Sequence, residues 1–207
     1  MAIEDVTNNV DDNCDGRVDE VAVLCDDAAT TGTADSYAKA IGLCSTVAFP
    51  MVTAASFPFG LSASRSIRAK FGDGFVPRAG SKMILLSTGQ AKDLYDDATY
   101  QPQDGFPFST SNTHPLYSPP RCAAPPSVPA AEDLSELSLT LKVPQNAKSL
   151  SFNFSFFSAE YPEWTCTEFN DRFLAILESS ALDITKLPAG QCKAGTARPT
   201  CNISFDD

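Results

Sequence analysis

The sequence is poor in positive charge and in histidine. It has 15 Lys and Arg against 26 Asp and Glu, a net charge of -11. Nucleic-acid binding depends on Lys and Arg that reach phosphates, and no basic stripe is present, so we expect no nucleic-acid partner. The one histidine, His114, lies in a Pro-rich segment, where a Ser-His-Asp or Cys-His catalytic arrangement would have to use it. GxSxG, Walker A and GxGxxG motifs are absent, so the sequence predicts a protein that is not an enzyme.

Long hydrophobic runs are also missing. No run approaches the length of a membrane span, so we expect no span in this chain. The first residues, MAIEDV, have neither the basic start nor the apolar region of a signal peptide. If the chain is exported, we expect its leader to be removed or to lie upstream.

Seven cysteines occur without any CxxC pair, which excludes the zinc-ribbon and thioredoxin patterns. They lie at positions 14, 25, 44, 122, 166, 192 and 201. Dispersed cysteines of this kind are typical of disulfides formed outside the cytoplasm. The odd count leaves one thiol over. The pairing cannot be deduced from spacing, but a Cys14–Cys25 bond would close a short loop.

The stretch DDNCDGRVDE, residues 11–20, has alternating oxygen-bearing side chains on both sides of Cys14. The candidate metal ligands are Asp11, Asn13, Asp15, Asp19 and Glu20. Carboxylate and amide oxygens are the ligands that calcium prefers, and Gly16 permits the sharp turn of an EF-hand-like loop. The twelfth position is Ala22 rather than Glu, which disfavours a helix–loop–helix EF-hand. The alternative is a solvated acidic turn.

A second acidic cluster lies between two predicted strands. Its five oxygen-bearing residues are Glu160, Glu163, Glu168, Asn170 and Asp171. Like charges this close repel unless a cation or hydrogen bonds compensate, so Glu160, Glu163, Asn170 and Asp171 are candidate calcium ligands. Alternatively, the carboxylates are solvated, or Glu160 and Glu163 form a glycosidase acid–base pair. Tyr161 and Trp164 could stack on a sugar or cover the core.

Apolar residues alternate with polar ones over 137–143 and 150–156, with turn residues between, which predicts a β-hairpin over 137–157. Further strands are predicted at 81–87, 172–178 and 202–205, and one short helix at 34–44 with Asp35 as its N-cap. Residues 101–131 are rich in proline and form a predicted surface loop. We therefore predict a mainly-β fold, an antiparallel β-sandwich of jelly-roll type. Residues 1–27 form an acidic calcium-loop segment, and 28–207 form the sandwich domain, cut short at its C-terminus.

Two segments resemble known bacterial surface proteins. Residues 13–20, NCDGRVDE, resemble the short metal-binding motif of surface proteins of myxobacteria and related bacteria. The SAEYPEW and FND segments within 158–171, with residues 71–81 and 40–44, resemble the choice-of-anchor L domain over roughly residues 38–205. The second resemblance implies a secreted or cell-surface β-sandwich whose anchoring segment varies.

Together these observations predict an extracellular, disulfide-stapled, calcium-binding module for adhesion or matrix attachment. Its expected partner is a surface glycan, another protein or further copies of itself. The first alternative is a structural subunit of an extracellular assembly, in which strand addition from another chain completes the open C-terminal edge. The second is a carbohydrate-binding or glycoside-active domain.

Overall fold

The computed structural model describes residues 7–10, 25–45, 50–93, 133–143, 145, 150–158, 171–186, 192–193 and 198–203. The chain divides into two compact units. The first comprises Met1–Thr110 with Asp133–Asn153, and the second Ser111–Glu132 with Phe154–Asp207. The predicted 1–27 and 28–207 division stays a prediction.

The described elements are mainly strands with one short helix, which confirms the predicted mainly-β class. They are helix α1 (Ala34–Ala40) and strands β1 (Val52–Ser56), β2 (Arg65–Arg68), β3 (Met83–Leu86), β4 (Ser138–Leu141), β5 (Ile176–Glu178), β6 (Cys192–Lys193) and β7 (Thr200–Asn202). Three single turns of 3-10 helix lie at Asp26–Ala28, Ser62–Ser64 and Ile184–Lys186. The strands form three small antiparallel sheets. Packing of these sheets into a sandwich stays a prediction.

Helix α1 lies within the predicted 34–44 segment but begins at a different cap. Thr33 is the N-cap, and its hydroxyl accepts a hydrogen bond from the backbone N–H of Ser36 at 3.3 Å. The predicted cap, Asp35, lies instead in the first turn, where a negative charge favours the helix dipole. Seven residues form a marginal helix in water. Burial of most of the helix, with Tyr37 fully buried, and packing on β1 and β3 therefore supply its stability.

The first unit contains two separate strand pairs. β1 pairs with β4 in the register Ser56 opposite Ser138, and β2 pairs with β3 in the register Arg65 opposite Leu86. The described partner of β4 lies more than 80 residues upstream, and the predicted hairpin over 137–157, part of whose turn lies outside the described residues, stays a prediction. Within the part of the chain that the structure describes, no strand, turn or bend is assigned over residues 150–158.

The second unit contains a three-stranded sheet in the order β5–β7–β6. Cys201 in the central strand is fully buried and lies opposite Cys192, to which it is disulfide-bonded, with 4.1 Å between the Cα atoms. The predicted strands at 172–178 and 202–205 overlap β5 and β7. Because β7 has a neighbour on each side, β5 and β6 are the outer strands of this sheet among the residues that the structure describes.

The second disulfide of the described residues joins Cys25 to Cys44 across 19 positions. The predicted Cys14–Cys25 bond is therefore wrong. The bond that forms encloses α1 and fixes the chain on both sides of it. Among the residues that the structure describes, no helix has the length and apolar character to cross a membrane.

Candidate functional site

Of the nine predicted metal ligands, Asp171 lies within the described residues. The other eight lie outside them: Asp11, Asn13, Asp15, Asp19, Glu20, Glu160, Glu163 and Asn170. Within the described part of the chain, no group of three or more His, Cys, Asp or Glu side chains is placed to hold a metal ion. The predicted sites are therefore judged here from Asp171 and its surroundings.

Asp171 is half-buried, and its Oδ2 atom accepts a hydrogen bond from the hydroxyl of Ser158 at 3.0 Å. Four residues before Ser158, the ring of Phe154 stacks on Phe173 with 4.4 Å between centroids and 19° between planes. Phe154 precedes Ser158 while Phe173 follows Asp171, so the two segments run antiparallel. The two contacts hold the ends of residues 159–170 together.

These two ends flank the residues that the sequence marks as the second acidic cluster. A carboxylate and a hydroxyl lie together where residues 159–170 begin and end. Their oxygens are suited to coordinating a hard cation. Ser158 was not among the predicted ligands. The position of Ser158 in the sequence could have indicated this role. Ser158 follows the alternating segment 150–156, and Asp171 directly precedes the predicted strand at 172–178.

A different carboxylate, Asp26, is the most deeply buried charged group described, at 3% exposure. It accepts hydrogen bonds from the backbone N–H groups of Ser81 and Lys82, the latter at 3.1 Å. The hydroxyl of Ser81 donates in turn to Oδ1 of Asp27 at 3.1 Å. The Ser81 backbone hydrogen bond, opposed by desolvation, lowers the pKa of Asp26. These hydrogen bonds, which we call the Asp26 clasp, join the Cys25 end of the disulfide loop to the segment before β3. The sequence analysis did not predict them.

Half-buried aromatic and cationic side chains lie beside Tyr37 of α1 in the first unit. The ring of Tyr37 meets Phe57 edge-to-face at 4.9 Å, and the Arg65 guanidinium carbon lies 3.8 Å from the Phe57 ring centroid. Desolvation raises the pKa of Tyr37, against the opposing effect of Arg65 and Arg68. No described group forms a hydrogen bond with the Tyr37 hydroxyl. This cluster is a packed support for α1, with no nucleophile or acid–base pair among its members.

No family model, curated protein or solved structure matches the chain. What defines this protein is therefore its own geometry. It is a mainly-β chain with a disulfide in each of its two units and a carboxylate–hydroxyl pair that closes an acidic connection.

Proposed function

We propose that this chain is an extracytoplasmic, non-catalytic module for surface adhesion or matrix attachment, and that calcium orders its acidic segments. The observation that carries the proposal is the hydrogen bond between Ser158 and Asp171, 3.0 Å long. It brings together the ends of a twelve-residue connection whose sequence includes three glutamates and an asparagine. Calcium is the cation that such a set of oxygen ligands favours.

Electrostatics supports a cation at this place. The connection between the joined ends has three glutamates within nine positions of sequence, in a protein that carries a net charge of -11. Like charges this close in sequence repel one another, and a positive charge offsets that repulsion. A divalent ion offsets two such charges at once, and binding only to the folded form stabilises it.

The disulfides support a location outside the cytoplasm. Both units contain one, and bonds of this kind persist in oxidising compartments. Secretion or display on a cell surface is the proposal that fits these bonds together with the resemblance to choice-of-anchor L proteins. A surface glycan or protein is the proposed partner.

Thermal unfolding tests the calcium proposal. The chelated chain is melted with and without calcium, alongside the variants Asp171→Asn and Asp15→Asn and the control Glu178→Gln, which removes an exposed charge from β5 of the same unit. At about one hundred times the dissociation constant, calcium adds about 2.7 kcal/mol to the free energy of unfolding. Asp171→Asn is expected to reduce this shift, and Glu178→Gln to leave it unchanged. An absence of any shift in the parent chain would show that calcium is not part of its function.

An extracellular assembly is the second candidate, and the sheet of the second unit supports one version of it. Among the described strands, β5 has one neighbour, β7, so we propose that a strand from another chain adds beside it. The sequence analysis placed the open edge at the C-terminal strand, but β7 lies between β5 and β6. The carbohydrate alternative rests on Glu160, Tyr161, Glu163 and Trp164, which lie outside the described residues.

A further inference from the structure

The connection between β2 and β3, residues 69–82, exposes two adjacent large apolar side chains to solvent. We call it the β2–β3 loop, and it lies entirely within the first unit. Val76 is 67% exposed and Phe75 is 45% exposed. The backbone folds back on itself just before them, because the N–H groups of Phe71 and Phe75 each donate to the carbonyl of the other, at 2.8 and 3.2 Å. This bridge fixes the backbone at the position from which Phe75 and Val76 reach solvent.

Positive charge surrounds these two residues in the sequence. Residues 65–82 contain five Lys and Arg and a single Asp, Asp73, in a chain whose net charge is -11. Lys70 directly precedes the bridge, Arg78 follows it, and both are exposed. The Arg78 guanidinium also donates to Oδ1 of Asn153 at 3.3 Å. The β2–β3 loop thus combines apolar exposure with a local charge opposite in sign to that of the whole chain.

Carboxylates from other segments of the first unit hold the β2–β3 loop in place. Oδ2 of Asp93 accepts a hydrogen bond from the N–H of Gly72 at 2.8 Å. The buried Asp26 accepts one from the N–H of Ser81, and Asp27 accepts one from the Ser81 hydroxyl at 3.1 Å. The loop is therefore fixed near both of its ends.

We propose that the β2–β3 loop attaches this chain to an anionic lipid surface. The exposed parts of Phe75 and Val76 insert between the lipids, and the cations of Lys70 and Arg78 bind lipid phosphates. Single exposed apolar residues are common, but adjacent large ones on a fixed backbone mark a site for a protein or a membrane. The neighbouring cations favour the membrane, because an anionic leaflet attracts each Lys or Arg that lies near its surface.

The acidic remainder of the chain does not prevent this attachment. At about 0.1 M salt, charges more than about 10 Å from the lipid are largely screened, so the cations of the β2–β3 loop act at the surface while most of the carboxylates do not. Binding of this kind depends on the buried apolar area and on local electrostatic attraction, and it stays within the interface without a membrane-spanning segment. A lipid partner is distinct from the glycan or protein partner proposed above, and its binding needs no calcium.

Co-sedimentation with vesicles tests the attachment. The full chain, with its disulfides intact and with a chelator present, is mixed at about 0.1 M salt with vesicles of phosphatidylcholine alone or of phosphatidylcholine with phosphatidylglycerol. We expect binding to the anionic vesicles and weaker binding to the neutral ones. A chain that binds neither kind of vesicle, or both equally, would overturn the proposal. Because the chelator removes calcium, this result is independent of the outcome of the calcium experiment.

Two matched variants locate the contact on the chain. Val76→Asp and Val143→Asp each add one negative charge to the first unit, at valines that are 67% and 66% exposed. Val76→Asp is expected to lower the vesicle partition coefficient about tenfold or more, because it removes an inserted apolar side chain and places a negative charge against the lipid. Val143→Asp is expected to leave the coefficient unchanged. Equal effects of the two variants would show that the β2–β3 loop is not the attachment site.

Tryptophan fluorescence separates insertion from adsorption. Val76→Trp and Val143→Trp each add a tryptophan to a chain whose one tryptophan is Trp164. On addition of anionic vesicles, the emission of Val76→Trp is expected to move to shorter wavelength and to be quenched by brominated lipids, both to a greater extent than in the parent chain. Val143→Trp is expected to behave as the parent does. The same response from both variants, or no response from Val76→Trp, would contradict insertion of the β2–β3 loop.

Discussion

Gly80 and Asp26, 54 positions apart in sequence, are packed so closely that a Cβ atom on Gly80 would lie 2.5 Å from Oδ2 of Asp26. Gly80 also has φ +73°, a conformation that L side chains rarely adopt. The glycine thus lets the backbone reach the buried carboxylate, and the amides of Ser81 and Lys82 then close on it. Gly80 thus combines a strained φ with a close contact to Asp26. Gly72 and Gly74 allow these two constraints to be measured separately.

A series of three Gly→Ala variants measures these constraints. Gly74 has neither a positive φ nor an atom near its would-be Cβ, Gly72 has φ +58° with open space around it, and Gly80 has both the strained φ and the contact with Asp26. We expect Gly74→Ala to change the free energy of unfolding by less than about 0.5 kcal/mol. Gly72→Ala should cost about 1 kcal/mol, and Gly80→Ala at least 1 to 3 kcal/mol by order of magnitude. Urea unfolding checks the ranking, and equal costs at Gly72 and Gly80 would contradict the close packing.

Replacing Asp26 with Asn is expected to destabilise the first unit by about 1 to 2 kcal/mol, because the acceptor of the hydrogen bonds from Ser81 and Lys82 loses its charge. The exposed neighbour Asp27 is the control, and Asp27→Asn should cost less than about 1 kcal/mol. Chemical denaturation near neutral pH provides both values. Equal costs would show that burial of Asp26 contributes nothing.

The cost of Asp26→Asn is also expected to depend on pH. The folded-state pKa of Asp26 lies below its ordinary value of 3.8, so the stability that its ionised form contributes is present above that value. It is lost as pH falls through the lowered folded pKa. The difference in stability between parent and variant should therefore be constant above about pH 5 and shrink below the ordinary value. A difference that grows in acid would contradict the hydrogen bonds assigned to the carboxylate.

Removing the hydroxyl of Tyr37 is expected to stabilise the chain. The residue is fully buried, and no described group forms a hydrogen bond with the hydroxyl, so its desolvation has no compensation. We expect Tyr37→Phe to add about 1 kcal/mol to the free energy of unfolding and Tyr37→Ala to remove about 3 to 5 kcal/mol. Because burial raises the pKa of Tyr37, the parent should also lose stability as pH rises above about 10. Tyr37→Phe should lack this alkaline loss, and a destabilised Tyr37→Phe would indicate a hydrogen-bond partner.

Non-reducing peptide mapping checks the disulfides. Trypsin cleaves after Lys39, between Cys25 and Cys44, and after Lys193, between Cys192 and Cys201. Each bond should therefore appear as a pair of linked peptides that separate on reduction. A peptide linking Cys25 to any other cysteine would contradict the structure, as would a free Cys192 or Cys201.

Sequence periodicity predicted where several elements lie but not which strands pair. The run at 81–87 contains β3, and the alternation at 137–143 contains β4. Alternation indicates which side of a strand is apolar, and it carries no information about the partner. The partner of β4 proved to be β1, a strand of small residues, VTAAS, whose pattern is weak.

The sequence analysis did not predict strand β2, and the reason is a different one. Its sequence, RSIR, reads as polar surface, yet Arg65 covers the Phe57 ring and Arg68 donates to the carbonyl of Ala91 at 2.9 Å. Long cationic side chains can cover apolar surface with their stems while their charged ends find partners. The Asp26 clasp was equally hidden, because its partners are backbone amides, which every residue except proline possesses. Composition, by contrast, predicted the mainly-β class and the disulfides, since both depend on residue types rather than on pairing.

The disulfide in the second unit links β6 covalently to β7. This link restricts which strands two molecules of this protein can exchange by domain swapping. Domain swapping requires an edge strand to leave its own sheet and enter that of a neighbour. Strand β6 cannot leave β7 while Cys192 is bonded to Cys201, whereas neither of the described disulfides includes a residue of β5. In an oxidising compartment β6 can therefore be exchanged only together with β7, whereas reduction would allow β6 to leave alone.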